Sequence, residues 1–328
     1  MSKQIGFNYN VERNIFYGVF VLLLFSLPLF SCAEEDNNAK DVENRQPCIM
    51  IVPDIQNYMF TEARFKYPNA IADYYISNRN EIDAVLQVGD LTNNNQLWEY
   101  INAYEQFFSR FSEEDQVVYC LGNHDYGKNG SSDKRTSNYP RYMIPPYDFR
   151  MEETPFENYV RYITIGGKKH GVMVLEFCTR NEVLEWANQV LENDADIPYI
   201  ILTHAFLNNY GKLFDYTDEN CVNGGSPKRY QMGEDYKNDS KEIYDKLIYK
   251  NSNVRLVVCG HCLTPDYINA MSLKNVAGGK VGFVMVNFQH YGEGGNGIVG
   301  MLTFYDDHYV IRSFSTVTID YGDIEICF

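Results

Sequence analysis

Gln116-Val117-Val118-Tyr119-Cys120-Leu121 runs directly into Gly122-Asn123-His124-Asp125. A β-branched apolar run that stops within one residue at a glycine and a polar tetrad predicts a buried strand opening onto a loop. The same grammar recurs upstream. Ala84-Val85-Leu86-Gln87-Val88 meets Gly89-Asp90-Leu91-Thr92-Asn93, and Cys48-Ile49-Met50-Ile51-Val52 meets Pro53-Asp54-Ile55-Gln56. Amphipathic stretches at 63–77 and 96–111 predict helices between these strands. Such a β-α-β-α-β series builds a mostly parallel sheet with helices on its faces, which assigns the chain to the α/β class.

Downstream, apolar runs predict strands over 159–165, 172–177, 199–202, 254–259, 281–287, 298–304 and 309–315, with helices over 182–192 and 241–250. Val183, Trp186, Ala187 and Val190 recur at helical spacing, as core packing requires. Links after Val254 are hairpin-sized, so a second, more antiparallel sheet is expected there. The polar, helix-poor segments 127–155 and 211–233 are expected to be surface insertions near the site.

The 328 residues are 45% hydrophobic and 15% aromatic, with 27 Tyr and 20 Phe, too much apolar surface for a disordered chain. Twenty-eight basic against 44 acidic side chains give a net charge of −16. Such a surface repels a polyanion and carries no basic stripe, which excludes nucleic acid as a partner.

Lys3 and Arg13 precede an apolar run from Ile15 to Phe30, then Ser31-Cys32 and the acidic Glu34-Glu35-Asp36. The run is short for a membrane span and ends on small residues at a cysteine, the layout of a cleaved signal. It resembles a bacterial lipoprotein signal over residues 1–32, with Cys32 as the lipidated residue. The acidic residues behind it resemble the surface-export signal of Bacteroidetes lipoproteins. The alternative is an uncleaved N-terminal anchor; either way the remainder is exported and tied to a membrane. Residues 33–46 lack apolar periodicity and are expected to form a flexible tether, leaving 47–328 as one domain. Removing residues 1–32 takes away Lys3, Arg13 and Glu12, so the mature chain carries −17.

In an open α/β sheet, ligands bind beyond the carboxyl ends of the strands. Here those positions hold Asp54 and Gln56, Asp90, Asn123, His124 and Asp125, His204, and His261. Three of the six histidines fall there, while Lys and Arg are absent. Carboxylate, amide and imidazole together suit a divalent cation, the anionic oxygens bridging and the neutral nitrogens completing the shell.

The succession D-x-Q, GD-x-x-N, GNHD, H and GH resembles the calcineurin-like metallophosphoesterases over about residues 48–328. The resemblance implies a four-layer α/β/β/α sandwich of two mixed sheets flanked by helices. It also implies two divalent metal ions, from among Mn, Fe, Zn, Mg and Ca. In that frame Asp90 bridges the metals, Asn123, His204 and His261 complete one site, and Asp54 belongs to the other. His124 approaches the substrate, steadied by Asp125. Two positions depart from the family pattern: Gln56 stands where a His is usual, and Leu263 replaces the second His of G-H-x-H. The first site then keeps Asp54, Asp90 and the Gln56 amide oxygen, a set favouring Mn, Mg or Ca over Zn. The D-x-Q pattern with a late Gln and a Gly-rich segment resembles a subgroup of the superfamily. In that segment His290 is a candidate replacement ligand, although a loop or core role is favoured.

Cys259-Gly260-His261-Cys262 also spells a redox motif, but it lies late in the chain and continues into Leu263-Thr264-Pro265 rather than a helix, so structural cysteines are expected. Gly292-Glu293-Gly294-Gly295-Asn296-Gly297 fits a dinucleotide fingerprint, but it joins strand to strand and is expected to be a hairpin loop. Lys228 and Arg229 are candidates for a phosphate clamp, with a solvated turn favoured. The function expected is metal-dependent hydrolysis of a small phosphoester, mono- or diester, by a metal-activated water. The alternative is a catalytically weakened member of the same fold acting as a binding module.

Overall fold

Asp83 anchors the start of the domain: it pairs with Arg45 at 2.7 Å and accepts the Cys48 N–H at 2.8 Å. The computed structural model describes residues 45–328 apart from Glu153, Pro155, Glu234 and Asp235. The expected signal, Cys32 and tether residues 33–44 lie outside the described residues. Among the described residues no helix is long and apolar enough to cross a membrane.

Three strands, β1 (Cys48–Val52), β2 (Ala84–Gln87) and β3 (Val117–Tyr119), pair in parallel. They are joined through helices α1 (Lys66–Ser77) and α2 (Leu97–Gln106). Downstream come β4 (Phe149–Arg150), β5 (Tyr159–Ile165), β6 (Lys168–Val174), helix α3 (Asn181–Asn193) and β7 (Tyr199–Leu202). The short helix α4 (Ser240–Ile243) passes into a π-helical turn before β8 (Val254–Cys259). Strands β9 (Ile268–Lys274), β10 (Lys280–Val286), β11 (Ile298–Phe304), β12 (Tyr309–Ser315) and β13 (Asp320–Cys327) complete the chain.

They form two mixed sheets, one of six strands ordered β13-β12-β11-β1-β2-β3 and one of seven ordered β4-β5-β6-β7-β8-β10-β9. A buried layer including Ile49, Ile51, Leu86, Val258, Val284 and Leu302 fills the space between the sheets. A second layer joins the outer face of the six-stranded sheet to α1 and α2 through Ile71, Tyr75, Tyr100 and Ala103. A third joins the seven-stranded sheet to α3 and the π-helical turn through Val183, Leu184, Ala187 and Leu247. The expected α/β/β/α order of layers is therefore what forms.

The strands after Val254 do not make up the expected second, more antiparallel sheet by themselves, although β9 with β10 and β11 to β13 do pair antiparallel. Strands β8 and β10 pair in parallel and extend the sheet of β7, whereas β11 to β13 return to pair with β1. The link between β10 and β11, residues 287–297, carries the chain from one sheet to the other.

Candidate metal centre

Each sheet brings its parallel strands to the same end of the sandwich. Asp54, Asp90 and Asn123 follow β1, β2 and β3, while His204 and His261 follow β7 and β8. Asp54, Asp90 and His204 present ligand atoms within 4.8 Å of one another, and all three are buried.

The histidine tautomers follow from their outer partners. A carbonyl can only accept, so His204 Nδ1 donates to Val88 O at 2.7 Å and His261 Nε2 donates to Gly225 O at 3.0 Å. In the neutral rings the remaining lone pairs, on His204 Nε2 and His261 Nδ1, lie 3.2 Å apart. Both face Asn123 Oδ1, at 3.0 and 2.9 Å, and Asp90 Oδ1 lies 3.3 Å from His204 Nε2. Asn123 is held oxygen-inward because its Nδ2 donates to Gly130 O at 3.1 Å. Electron-rich atoms so placed repel one another unless a cation or a proton lies among them.

The other half of the cluster is rich in amides. Gln56 Nε2 donates to Asp90 Oδ2 at 3.2 Å and to Gln289 Oε1 at 2.5 Å, and its own Oε1 is buried without a partner. Asn287 Nδ2 donates to Asp54 Oδ2 at 2.8 Å. An orphaned buried oxygen is costly, and a cation would satisfy it. The residues therefore fit a divalent ion: Asp54, Asp90, Asn123, His204 and His261 would hold it, whereas Gln56, expected to offer its amide oxygen, turns its Nε2 to Asp90.

Backbone conformation serves the same cluster. Asp90 and His261 occupy left-handed conformations, at φ 53° and 69°, uncommon for residues with a side chain. Glycine is required at 122 and 260, where a Cβ would collide with Asp90 Oδ1 and with Asp54 Oδ1.

Burial pushes the Asp54 carboxyl up to about 7 despite the pull of His204. Burial works the same way on Asp90, but His204 and His124 outweigh it and hold that carboxyl well below the usual range. Burial opposes a charge on His204, yet Asp90 and Asp54 raise it to about 9, whereas burial and then His204 push His261 down to about 3. A cation entering the cluster must displace the His204 proton up to about pH 9, and the Asp54 proton up to about pH 7. Affinity for Mn²⁺ is thus expected to rise with pH most steeply below 7, less steeply to 9, and to level off beyond. Calorimetry at pH 8 in buffers of different ionisation enthalpy should register about one proton released per chain as the cluster fills; a heat independent of buffer would contradict this.

His124 is half-buried, its Nδ1 2.9 Å from Asn93 O and its N–H 2.9 Å from Asp90 Oδ1. The expected steadying role of Asp125 is corrected here. Its carboxylate accepts the N–H groups of Leu91, Thr92 and Gly122 at 3.1, 3.0 and 2.9 Å and the Thr92 hydroxyl at 3.1 Å. It ties two loops together, and the Asn93 carbonyl orients the His124 ring instead.

Leu263 and His290 are exposed, and Gln289 rather than His290 turns toward Gln56. Lys228 pairs with Glu242 at 2.7 Å. Cys259 and Cys262 are buried free thiols, both pushed up to about 12 by burial, as suits packing rather than redox exchange. The glycines of 292–297 form the loop between β10 and β11. The two insertions do reach the cluster, through Gly130 and through Gly225 and Tyr230, whose hydroxyl is 3.4 Å from His261 Nε2. Asn287 and Tyr230 are contacts that sequence reasoning missed, and Asn93, seen as part of GD-x-x-N, was given no role. Asn287 stood in plain view, since it follows β10 as the other site residues follow their strands.

A model of the calcineurin-like phosphoesterase family matches residues 49–265. Among solved structures, the purple acid phosphatase PPD1 of yellow lupin superposes with a TM-score of 0.51 at 13% identity, over 86% of this chain and 53% of that one. The chain thus spans about half the length of that phosphatase, and the likeness is one of fold. GAP50, the anchor in the inner membrane complex of Plasmodium, matches with a TM-score of 0.47 at 12% identity, over 86% of this chain and 88% of that one. A predicted phosphoesterase of Streptococcus pneumoniae matches with a TM-score of 0.33 at 10% identity, over 87% and 98% of the respective chains. No curated protein matches.

Proposed function

The chain belongs to the calcineurin-like phosphoesterases, and on that premise we propose that it hydrolyses a small phosphoester with divalent metal ions as cofactor. The convergence of Asp54, Asp90, His204, His261 and the Asn123 amide oxygen on one buried point carries this reading. A bound divalent cation would neutralise charge on the phosphoryl group and lower the pKa of water. The chain's own residues do the rest. Asp90 meets Gln56 Nε2 through Oδ2 and His204 Nε2 through Oδ1, so it would be the carboxylate shared between two ions. With its Nδ1–H donated to the Asn93 carbonyl, His124 would carry a second proton on Nε2 as imidazolium and return to neutral imidazole when the leaving oxygen takes it. The loop tie made by Asp125 keeps the Asp90 and His124 segments in register.

The D-x-Q variant is part of this reading, supported by Gln56 standing where the family uses His with its Oε1 unpartnered. Export on a lipid anchor at Cys32 is supported by the apolar run ending at Ser31-Cys32 and the acidic residues after it. A net charge of −16 favours a small phosphoester over a polymeric phosphate.

Purified chain loaded with Mn²⁺ is expected to turn over p-nitrophenyl phosphate or its diester; no turnover with Mn, Fe, Zn, Mg or Ca would overturn the hydrolase reading. One observation favours a second reading, a binding module. Leu263 brings no ligand, and Asn287 and Gln289 amides already occupy the Asp54 carboxylate. Elemental analysis separates the two: two ions per chain after Mn²⁺ loading supports catalysis, and none supports the binding module.

A further inference from the structure

Four apolar side chains stand in solvent on the segments that follow Gln56 and Asp90: Phe60, Leu97, Trp98 and Ile101, at 44, 53, 47 and 37% exposure. Phe60 and Trp98 lie with ring centroids 6.4 Å apart, edge to face. Helix α2 already buries one face through Tyr100 and Ala103. Leu97 and Trp98 stand four and three residues before Ile101, so both neighbour it on a second face, where an amphipathic helix would carry polar residues. Glu99, the one charge in its first turn, is buried and spent on the N–H groups of Asn93, Asn94 and Gln96 at 3.3, 2.9 and 3.1 Å. The exposed corner formed by Leu97, Trp98 and Ile101 is thereby left apolar, bordered one turn on by the exposed Glu105.

Helix α2 connects to the mouth of the cluster through Glu99, which accepts the Asn93 N–H at 3.3 Å, while Asn93 O meets His124 Nδ1 at 2.9 Å. Asp54, Asp90, Asn123 and His204 are closed off, whereas Asn57, Asn93 and His124 are half-buried and mark the opening. Asn57 and Phe60 belong to the segment leaving Gln56, and Asn93 and Trp98 to the segment leaving Asp90. The Asn102 amide locks the two together by donating to Met59 O at 2.9 Å. The patch exposes on the order of 300 Å², well short of the ~800 Å² per partner that a stable protein interface covers. Its size matches part of a small ligand, and it carries no charge to meet a lipid headgroup.

We propose that Phe60, Leu97, Trp98 and Ile101 receive the apolar alkyl or aryl alcohol portion of the phosphoester whose phosphate enters the cluster. This deepens the hydrolase reading and rests on it. A soluble monomeric amphiphilic phosphoester is the ligand class; a bilayer surface is the rival.

Two measurements test it. In the Mn²⁺-loaded chain, the ratio of kcat/KM for octyl phosphate over methyl phosphate should fall by about tenfold in Trp98→Ala and in Phe60→Ala. An unchanged ratio while methyl phosphate is still hydrolysed overturns this inference and leaves the hydrolase reading standing. In a Trp186→Phe background, where Trp98 is the one remaining tryptophan, octyl phosphate below its micellar concentration should give a saturable blue shift that Phe60→Ala weakens. That result, even from a chain that hydrolyses nothing, supports the apolar surface while the hydrolase reading falls. No shift, or co-sedimentation of the chain with phosphatidylcholine vesicles that Trp98→Ala abolishes, overturns the proposal.

Discussion

His204→Ala is expected to lower phosphoester turnover by about 10²–10³-fold or more, and to strip the chain of bound cation. The ring is fully buried, with one nitrogen fixed by Val88 O and the other aimed at Asn123 Oδ1 and Asp90 Oδ1. Truncation removes a ligand atom and also the positive charge that holds the Asp90 carboxyl low. Asp54 and Asp90 are then left facing each other in a buried space, where two carboxylates disfavour joint ionisation. Elemental analysis run beside turnover gives the check, since a variant with wild-type metal and activity would remove His204 from the chemistry. His124→Ala supplies the contrast. It should retain its ions and lose turnover by about 10²-fold, because the half-buried His124 ring bonds to a backbone carbonyl and to none of the cluster ligands.

Asp125→Ala is expected to cost stability rather than a proton relay. Four donors converge on this fully buried carboxylate, from Leu91, Thr92 twice, and Gly122. Unpaired buried donors cost about 1–3 kcal/mol each; with partial relaxation a net loss of about 4 kcal/mol follows, near the upper end for single substitutions. In a domain of this size that lowers the melting midpoint by about 10 °C. Asp125→Asn should recover little of it, because one amide NH₂ must then face backbone N–H groups. A melting midpoint within a degree or two of wild type, with a shifted pH–rate profile, would instead restore Asp125 as the partner of His124.

The β1, β2 and β3 region was legible in the sequence because each buried strand is an unbroken apolar run that stops at a polar loop. Every candidate ligand was found from that one signal. Partnering between strands was not legible. The 287–297 connection was expected to be a hairpin loop, and nothing local marks it as a crossing between sheets. Strands β9 and β13 went unseen for a related reason. Ile268–Lys274 and Asp320–Cys327 are edge strands with solvent on one side, so Asn, Ser, Asp and Glu interrupt the apolar pattern. The role assigned to Asp125 failed because adjacency to His124 in the chain says nothing of which way a carboxylate turns in a tight turn. Gln289 was passed over for His290 because imidazole is the stronger ligand by type, although the chain sends that ring into solvent.

The two sheets divide the cluster by chemistry. The six-stranded sheet delivers the carboxylates and the Asn123 amide, and the seven-stranded sheet delivers both imidazoles. Distances between unlike ligands are therefore set by how far one sheet slides over the other, which the apolar layer of Ile51, Leu86, Val258 and Val284 decides. Methyl groups remote from any reacting atom thus act as the shims of the instrument. A volume change among them tunes cation selectivity, and a tightly held ion clamps the layers against shear.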